Sequence, residues 1–422
     1  MGAAVAGAHS QNVESTAGAV PLSFQAHKLY EEHKFAESAQ LYGRAIDLGI
    51  KNSDYIYNAA CAAALSADLQ GAFKYLNRAI SFGYRNPDNM KADADLVALH
   101  TDPRWPDLLR RAAQNQQRWL DRHHDPEKAA LVTSDIAAFW KVFDQLESAK
   151  NPEELLNTEY FATGSVGLQD FVASRIGSAH DLLATIRSTH GYYASARNST
   201  LQITSMEPRI RASFRRLREL YPDAVFPDTY FVIGKMNSGG TLSDNGLLIG
   251  AEMYARTANT QFDELSDWLK GVLRPVEDIP RIVSHELIHA QQKNHGNKLL
   301  DQVIHEGSAD FVGEIIWGGR LDMPYMHYGC AHEAELWREF QQNRNGTETK
   351  GWLYQGSSAD RVADLGYFLG YRISQAYYEQ AKNKKQAIAG ILQVADFSEF
   401  LKTSGYGDHW IAGHAAMGGC AK

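Results

Sequence analysis

No apolar run in these 422 residues approaches the thickness of a bilayer, so nothing in the sequence reads as a membrane span. Positive charge is not in excess. Lys and Arg number 42 against 50 Asp and Glu, a formal net charge of −8, and no basic stripe gathers along the chain. That balance argues against nucleic acid as a partner. There is no G-x-G-x-x-G and no P-loop, so Gly239, Gly240 and Gly246 read as turn residues rather than a phosphate cradle. Residues 1–21 are rich in Ala, Gly and Ser and lack the basic region and apolar core of a signal peptide. They read as a disordered segment. The expectation for localisation stays open between a cytoplasmic protein and the mature form of an exported one. Cysteine is scarce. Cys61 suits a small buried position in a helix, and Cys330 and Cys420 could pair in an oxidising compartment, which the sequence does not decide.

The hydrophobic fraction of 44% and charged fraction of 22% are those of a soluble globular chain, long enough for two or three domains with ample core. The most informative residues are His285-Glu286-Leu287-Ile288-His289, an H-E-x-x-H inside a stretch, 278–293, that reads as a helix. Positions i and i+4 share a helix face, so His285 and His289 can offer two imidazole nitrogens to one metal ion. Glu286 stands beside them, placed to act as a general base on metal-bound water. The flanking Ile282, Val283, Leu287 and Ile288 make the helix a buried one, and buried polar groups need partners that a metal supplies. Asp278 and Pro280 mark its start.

A catalytic zinc takes three protein ligands, and two residues compete to be the third. His295 lies ten positions after His285, but that spacing calls for a glycine at 292, where the chain has Gln292. Met323 and Met326 match a Met-turn only weakly. Glu306 lies in Ile304-His305-Glu306-Gly307-Ser308-Ala309-Asp310, on a second predicted helix after a turn at 294–297. Glu306 and Asp310 are again i and i+4. Glu306 would ligate the metal, and Asp310 would accept the second N–H of a ligating histidine and hold its ring. An H-E-x-x-H helix followed by E-G-x-x-D resembles the gluzincin class of zinc metallopeptidases, chiefly over 278–317. The resemblance implies zinc on His285, His289 and Glu306, Glu286 as base and Asp310 behind the ligands. The gap from His289 to Glu306 is slightly shorter than in the best-known members.

Upstream, 230–236 and 246–254 are rich in β-branched and aromatic residues around a glycine turn and read as two antiparallel strands or a longer hairpin. The resemblance suggests that one of them lines extended peptide substrates. Downstream, Tyr367, Tyr371 and Arg372 lie in a helical stretch with Gly366 and Gly370 and are candidates to stabilise a tetrahedral intermediate, with His332 a further one; aromatic core packing is the plainer reading of either tyrosine. Further helices are predicted over 133–150, 167–188, 208–220, 331–342, 363–384, 385–394 and 397–404.

Near the N-terminus, Arg44-Ala45-Ile46 recurs as Arg78-Ala79-Ile80, thirty-four residues later. At the same shift Phe35 matches Leu69, Ser38 matches Ala72, Tyr42 matches Leu76 and Gly49 matches Gly83. Residues 23–83 resemble tetratricopeptide repeats, with a capping segment to about residue 111. The expectation is therefore a mainly α fold with a small antiparallel sheet: segment 1–21, a helical-repeat module over 22–115 and a zincin-like domain over 116–422. The leading functional expectation is a zinc peptidase acting on a peptide or protein substrate, with a possible protein partner on the repeats. The other is a repeat-mediated binding scaffold with a structural or vestigial zinc site.

Overall fold

The computed structural model describes residues 18–354 and 361–416, and its chain divides into two compact units. The first holds the chain up to Thr204 together with Asp228–Leu265 and Arg274–Val276. It begins with helices Ala19–Glu31, Phe35–Asp47, Ser53–Leu65 and Leu69–Ser81, packed as two hairpins. The first of these starts inside the segment expected to be disordered; residues 1–17 lie outside the described ones. The repeat is written into the backbone. His33 and Ala67, thirty-four apart, both adopt left-handed φ (62° and 64°), and Gly49 and Gly83 do so at 106° and 101°. Tyr42 and Leu76, Ala45 and Ala79, and Ile46 and Ile80 occupy equivalent buried positions. Helix Trp105–His123 closes the array: Asn115 donates to the carbonyls of Ile80 (2.8 Å) and Tyr84 (2.9 Å), and the Arg104 guanidinium lies 3.7 Å over the Phe73 ring.

The repeat helices fall in the same compact unit as the chain up to Thr204 and the sheet. Buried Gln169 shows why: it accepts from the Lys51 backbone (2.7 Å) and donates to the Gly49 carbonyl (2.8 Å). The sheet has strands β1 (Leu131–Val132), β2 (Thr229–Val232), β3 (Gly240–Ser243) and β4 (Gly246–Gly250) in the order β1-β2-β4-β3. It is mixed. The two segments expected to pair antiparallel, β2 and β4, run parallel, and the antiparallel partner of β4 is β3. The short turn at Asp244 and Asn245 joins β3 to β4, which leaves β4 aligned with β2. Both inner strands are buried throughout, as parallel strands covered on two faces are. The helix expected over 167–188 is broken. Val166–Phe171 widens into a π turn, Val172–Ile176, and ends at Gly177 (φ 86°) before Ala179–Ser188 begins.

The second unit comprises Ser205–Pro227, Ser266–Leu273 and the chain from Glu277 onward. Its centre is three helices, Ile279–His289, Leu299–Trp317 and Leu365–Gln380, with Glu207–Leu220 and Pro324–Asn343 against them. Leu299–Trp317 and Leu365–Gln380 cross through glycines. A Cβ on Gly370 would collide with the Val303 carbonyl, and one on Gly307 with the backbone of Gly370 and Tyr371. Leu299–Trp317 ends at left-handed Gly318, and Arg216 donates to the terminal carbonyls of Ile315 and Ile316. Cys330 is disulfide-bonded and Cys61 is a buried free thiol; Cys420 lies outside the described residues.

Candidate metal centre

The centre is built by two facing helices. Ile279–His289 has Pro280 in its first turn and buries Val283, Leu287 and Ile288. That anchorage holds His285 and His289 on one side, their Nε2 atoms 3.0 Å apart. From Leu299–Trp317, Glu306 brings Oε2 to 3.6 Å from His285 Nε2 and 3.3 Å from His289 Nε2. His295 is not among these donors; it is exposed and lies against the ring of His305, 4.4 Å between centroids. The His305 ring in turn stacks on His289 at 4.5 Å, and burial together with that neighbour pushes His305 down to about 3.

Each donor is oriented from behind. His285 Nδ1 faces Asp310 Oδ1 at 2.9 Å, and Tyr325 donates its hydroxyl to the other Asp310 oxygen at 2.6 Å. His289 Nδ1 faces Gln292 Oε1 at 2.6 Å, while the Gln292 amide donates to the His305 carbonyl (2.8 Å) and to Ser308 Oγ (2.9 Å). Glu306 Oε1 accepts from the Tyr354 hydroxyl at 2.8 Å, which leaves Oε2 to the histidines.

These bonds test whether a metal fits. With both Nδ1 atoms donating to oxygen, neutral rings leave two Nε2 lone pairs and a carboxylate oxygen aimed at one point. Three acceptors converging in a buried site repel unless a proton or cation lies among them. The electrostatics agree. Burial lowers the proton affinity of His285, but Asp310 and Glu306 outweigh it and leave His285 raised to about 10. His289 is raised for the same reason, with Glu306 opposing burial. Burial would raise Glu306, yet the two histidines hold it well below the usual carboxylate range. The donor set asks for positive charge, and two imidazoles with one carboxylate suit zinc.

The other residues singled out in the sequence lie elsewhere. Tyr367 sets its ring 6.1 Å from that of His285 and 5.6 Å from Tyr325, so it flanks the centre. Tyr371, one turn on, donates to Glu314 at 3.0 Å. Arg372 is buried in a paired bond to Glu333 (2.8 and 3.1 Å), which also accepts from Tyr406. His332 marks a kink in Pro324–Asn343 and bonds to the Tyr328 carbonyl. Met323 caps that helix, and Tyr325 within the Met-Pro-Tyr-Met stretch is the residue that reaches the centre. The sequence assigned no role to Tyr325 or Tyr354, and it marked Gln292 only as the residue standing where a third-histidine pattern would need glycine. Gln292 lies just past the end of the helix, three positions after His289. A second cluster, Cys61, Asp93 and Asp95, is supplied with donors by its own tyrosines, Tyr57 to Asp93 and Tyr30 to Asp95.

The family described as gliding motility protein GldB matches residues 121–408, about two thirds of the chain. The chain belongs to the GldB family. No curated protein and no solved structure matches it. This corrects the sequence reading. The resemblance to gluzincin peptidases rested on 278–317, and that stretch lies wholly inside the GldB match. The assignments as a zinc peptidase, hydrolase or metalloprotease fall with it, and so do the base role of Glu286 in peptide hydrolysis and the oxyanion roles of Tyr367, Tyr371 and Arg372. The physical reason is that one i, i+4 pair and a carboxylate from a helix packed against it can gather three metal donors, whatever the site is for. The GldB match begins after the four repeat helices, which end at Ser81.

Proposed function

We propose that this GldB-family chain is a protein-binding component of a gliding-motility assembly, its repeat helices recruiting a partner and its metal centre serving architecture. The observation that carries the reading is the family match across 121–408, joined to an N-terminal helical array outside it. Solenoid surfaces of this kind serve protein recognition. Among the described residues no helix is long and apolar enough to cross a membrane. In this reading zinc held by His285, His289 and Glu306 ties Ile279–His289 to Leu299–Trp317. Metal binding of this sort adds directly to folding free energy.

The test places photo-crosslinking residues at the exposed repeat positions Leu48, Leu69 and Phe82 of the full chain in its native cell. A single recurrent partner is expected, captured equally by a Glu286→Gln variant. Absence of any crosslinked partner at all three positions, or loss of capture in Glu286→Gln with the fold intact, would sink the scaffold reading. Metal analysis of the purified chain is expected to give one zinc, lost in His285→Ala.

A further inference from the structure

The first unit carries a trough whose chemistry the metal centre does not use. Two adjoining cavities share Asp54 and Asp244 in their walls. The larger, about 550 Å³, opens between Phe24 and Tyr55 of the repeat helices and Leu242 of β3, with Asp170 as a third carboxylate. The smaller, about 330 Å³, continues past Arg85 to Trp119. Phe24 is 40% exposed and Leu242 39%, so the apolar walls stand open to water above an anionic floor.

The charge on that floor is poorly balanced. Burial pushes Asp54 up to about 6, and the carboxylates of Asp244 and Asp170 push the same way. Arg85 opposes them. Its guanidinium, however, donates to the Asp244 carbonyl oxygen and lies 4.8 Å over the Trp119 ring. Asp170 accepts from the amides of Asn52 (2.6 Å) and Asn245 (2.9 Å), donors that orient the carboxylate without cancelling its charge. Among the described residues no side chain bonds to the Asp54 carboxylate.

A cationic head on a methylene stem answers both features. The stem lies along Phe24, Tyr55 and Leu242, and the head meets Asp54 where water is partly excluded and the attraction is least screened. Residues 1–17 contain no lysine or arginine, so they do not supply it. We propose that this trough is the docking pocket for a lysine- or arginine-bearing apolar segment of a partner protein. The inference rests on the scaffold reading and gives it a site and a partner chemistry.

Fluorescence anisotropy of the full chain with a labelled Gly-Leu-Lys-Leu-Lys-Gly peptide tests it. The peptide should bind, more weakly as salt rises, and its Leu-Glu counterpart should not. Asp54→Asn and Phe24→Ala should each weaken binding at least tenfold, while Asp88→Asn, in a surface pair with Lys91, leaves it unchanged. Thermal melts of each variant separate lost binding from lost fold. Equal affinity in a folded Asp54→Asn chain, or no binding by the wild type, overturns the pocket. Cadaverine competing as well as the peptide does likewise, since the site would then take free diamines. If the photo-crosslinked partner is captured equally by wild type and Asp54→Asn, the pocket falls and the scaffold stands. If the wild type captures none, the scaffold falls on its own account.

Discussion

Burial of Glu252 makes folding pH-dependent. Desolvation raises its carboxyl to about 7, backbone N–H groups including that of Met236 (3.1 Å) offset this only in part, and Oε2 has no hydrogen-bond partner. The folded state therefore holds the proton more tightly than the unfolded chain. Stability from this group is present at pH 5 and is lost as pH rises from the ordinary carboxylate range through 7, by on the order of 3 kcal/mol. Urea titrations at pH 5 and 8 should show a smaller drop in stability for Glu252→Gln than for the wild type; parallel slopes would contradict the assignment. At the candidate metal centre, Asp310→Asn should lower zinc affinity about 10- to 100-fold by loosening His285 while leaving His285, His289 and Glu306 in place. Competition with a fluorescent chelator reads this, and unchanged affinity would show that Asp310 does not orient the ring. His285, His289, Glu306 and Asp310 were legible because helical spacing alone puts each pair on one face. Tyr325 and Tyr354 were not, because they arrive from other parts of the chain. Spacing also says less than it suggests about partners: Tyr367 and Tyr371 share a face, yet one flanks His285 and the other reaches Glu314.

At the scale of elements, the crossing of Leu299–Trp317 with Leu365–Gln380 depends on bare backbone. Gly370→Ala drives a methyl into the Val303 carbonyl, and overpacking of this kind typically costs about 1–3 kcal/mol, more where backbone cannot move. Because Gly307 adjoins Glu306, the same change should weaken zinc binding along with the fold. Denaturant midpoints and zinc titration should fall together; a stable Gly370→Ala chain with full metal affinity would show the crossing to be looser than described. The two glycines 366 and 370 announced a close approach in the sequence, but not what they approach. The repeats were legible because their period is a property of the chain itself, down to the paired left-handed turns at His33 and Ala67. Strand direction was not. The residues of β2 and β4 say that both are buried strands, and the interposed β3, mildly polar and half-buried, decides that they run parallel.

For the whole molecule, zinc should act on one unit. Saturation at about a thousandfold above its dissociation constant should add on the order of 4 kcal/mol to the unit that binds it. Hydrogen exchange with and without zinc should show protection rising in Ile279–His289 and Leu299–Trp317 and unchanged in the repeat helices. Uniform protection would mean that the two units unfold as one. Function was the least legible property at this scale. H-E-x-x-H with a downstream glutamate specifies where a cation can sit, not whether turnover follows, and only the match over 121–408 placed the chain in the GldB family. The order in which the units take their segments has a further consequence. Ser205–Pro227 belongs to the second unit, yet Asp228–Leu265 and Arg274–Val276 belong to the first. On the ribosome, the helix Glu207–Leu220 emerges well before Ile279–His289 and Leu299–Trp317, against which it packs. It must wait, its apolar face uncovered, while the earlier unit is still short of its last strands. No single cut of the gene yields either unit whole, so truncation libraries, split reporters and domain grafts made at one junction should all give insoluble product.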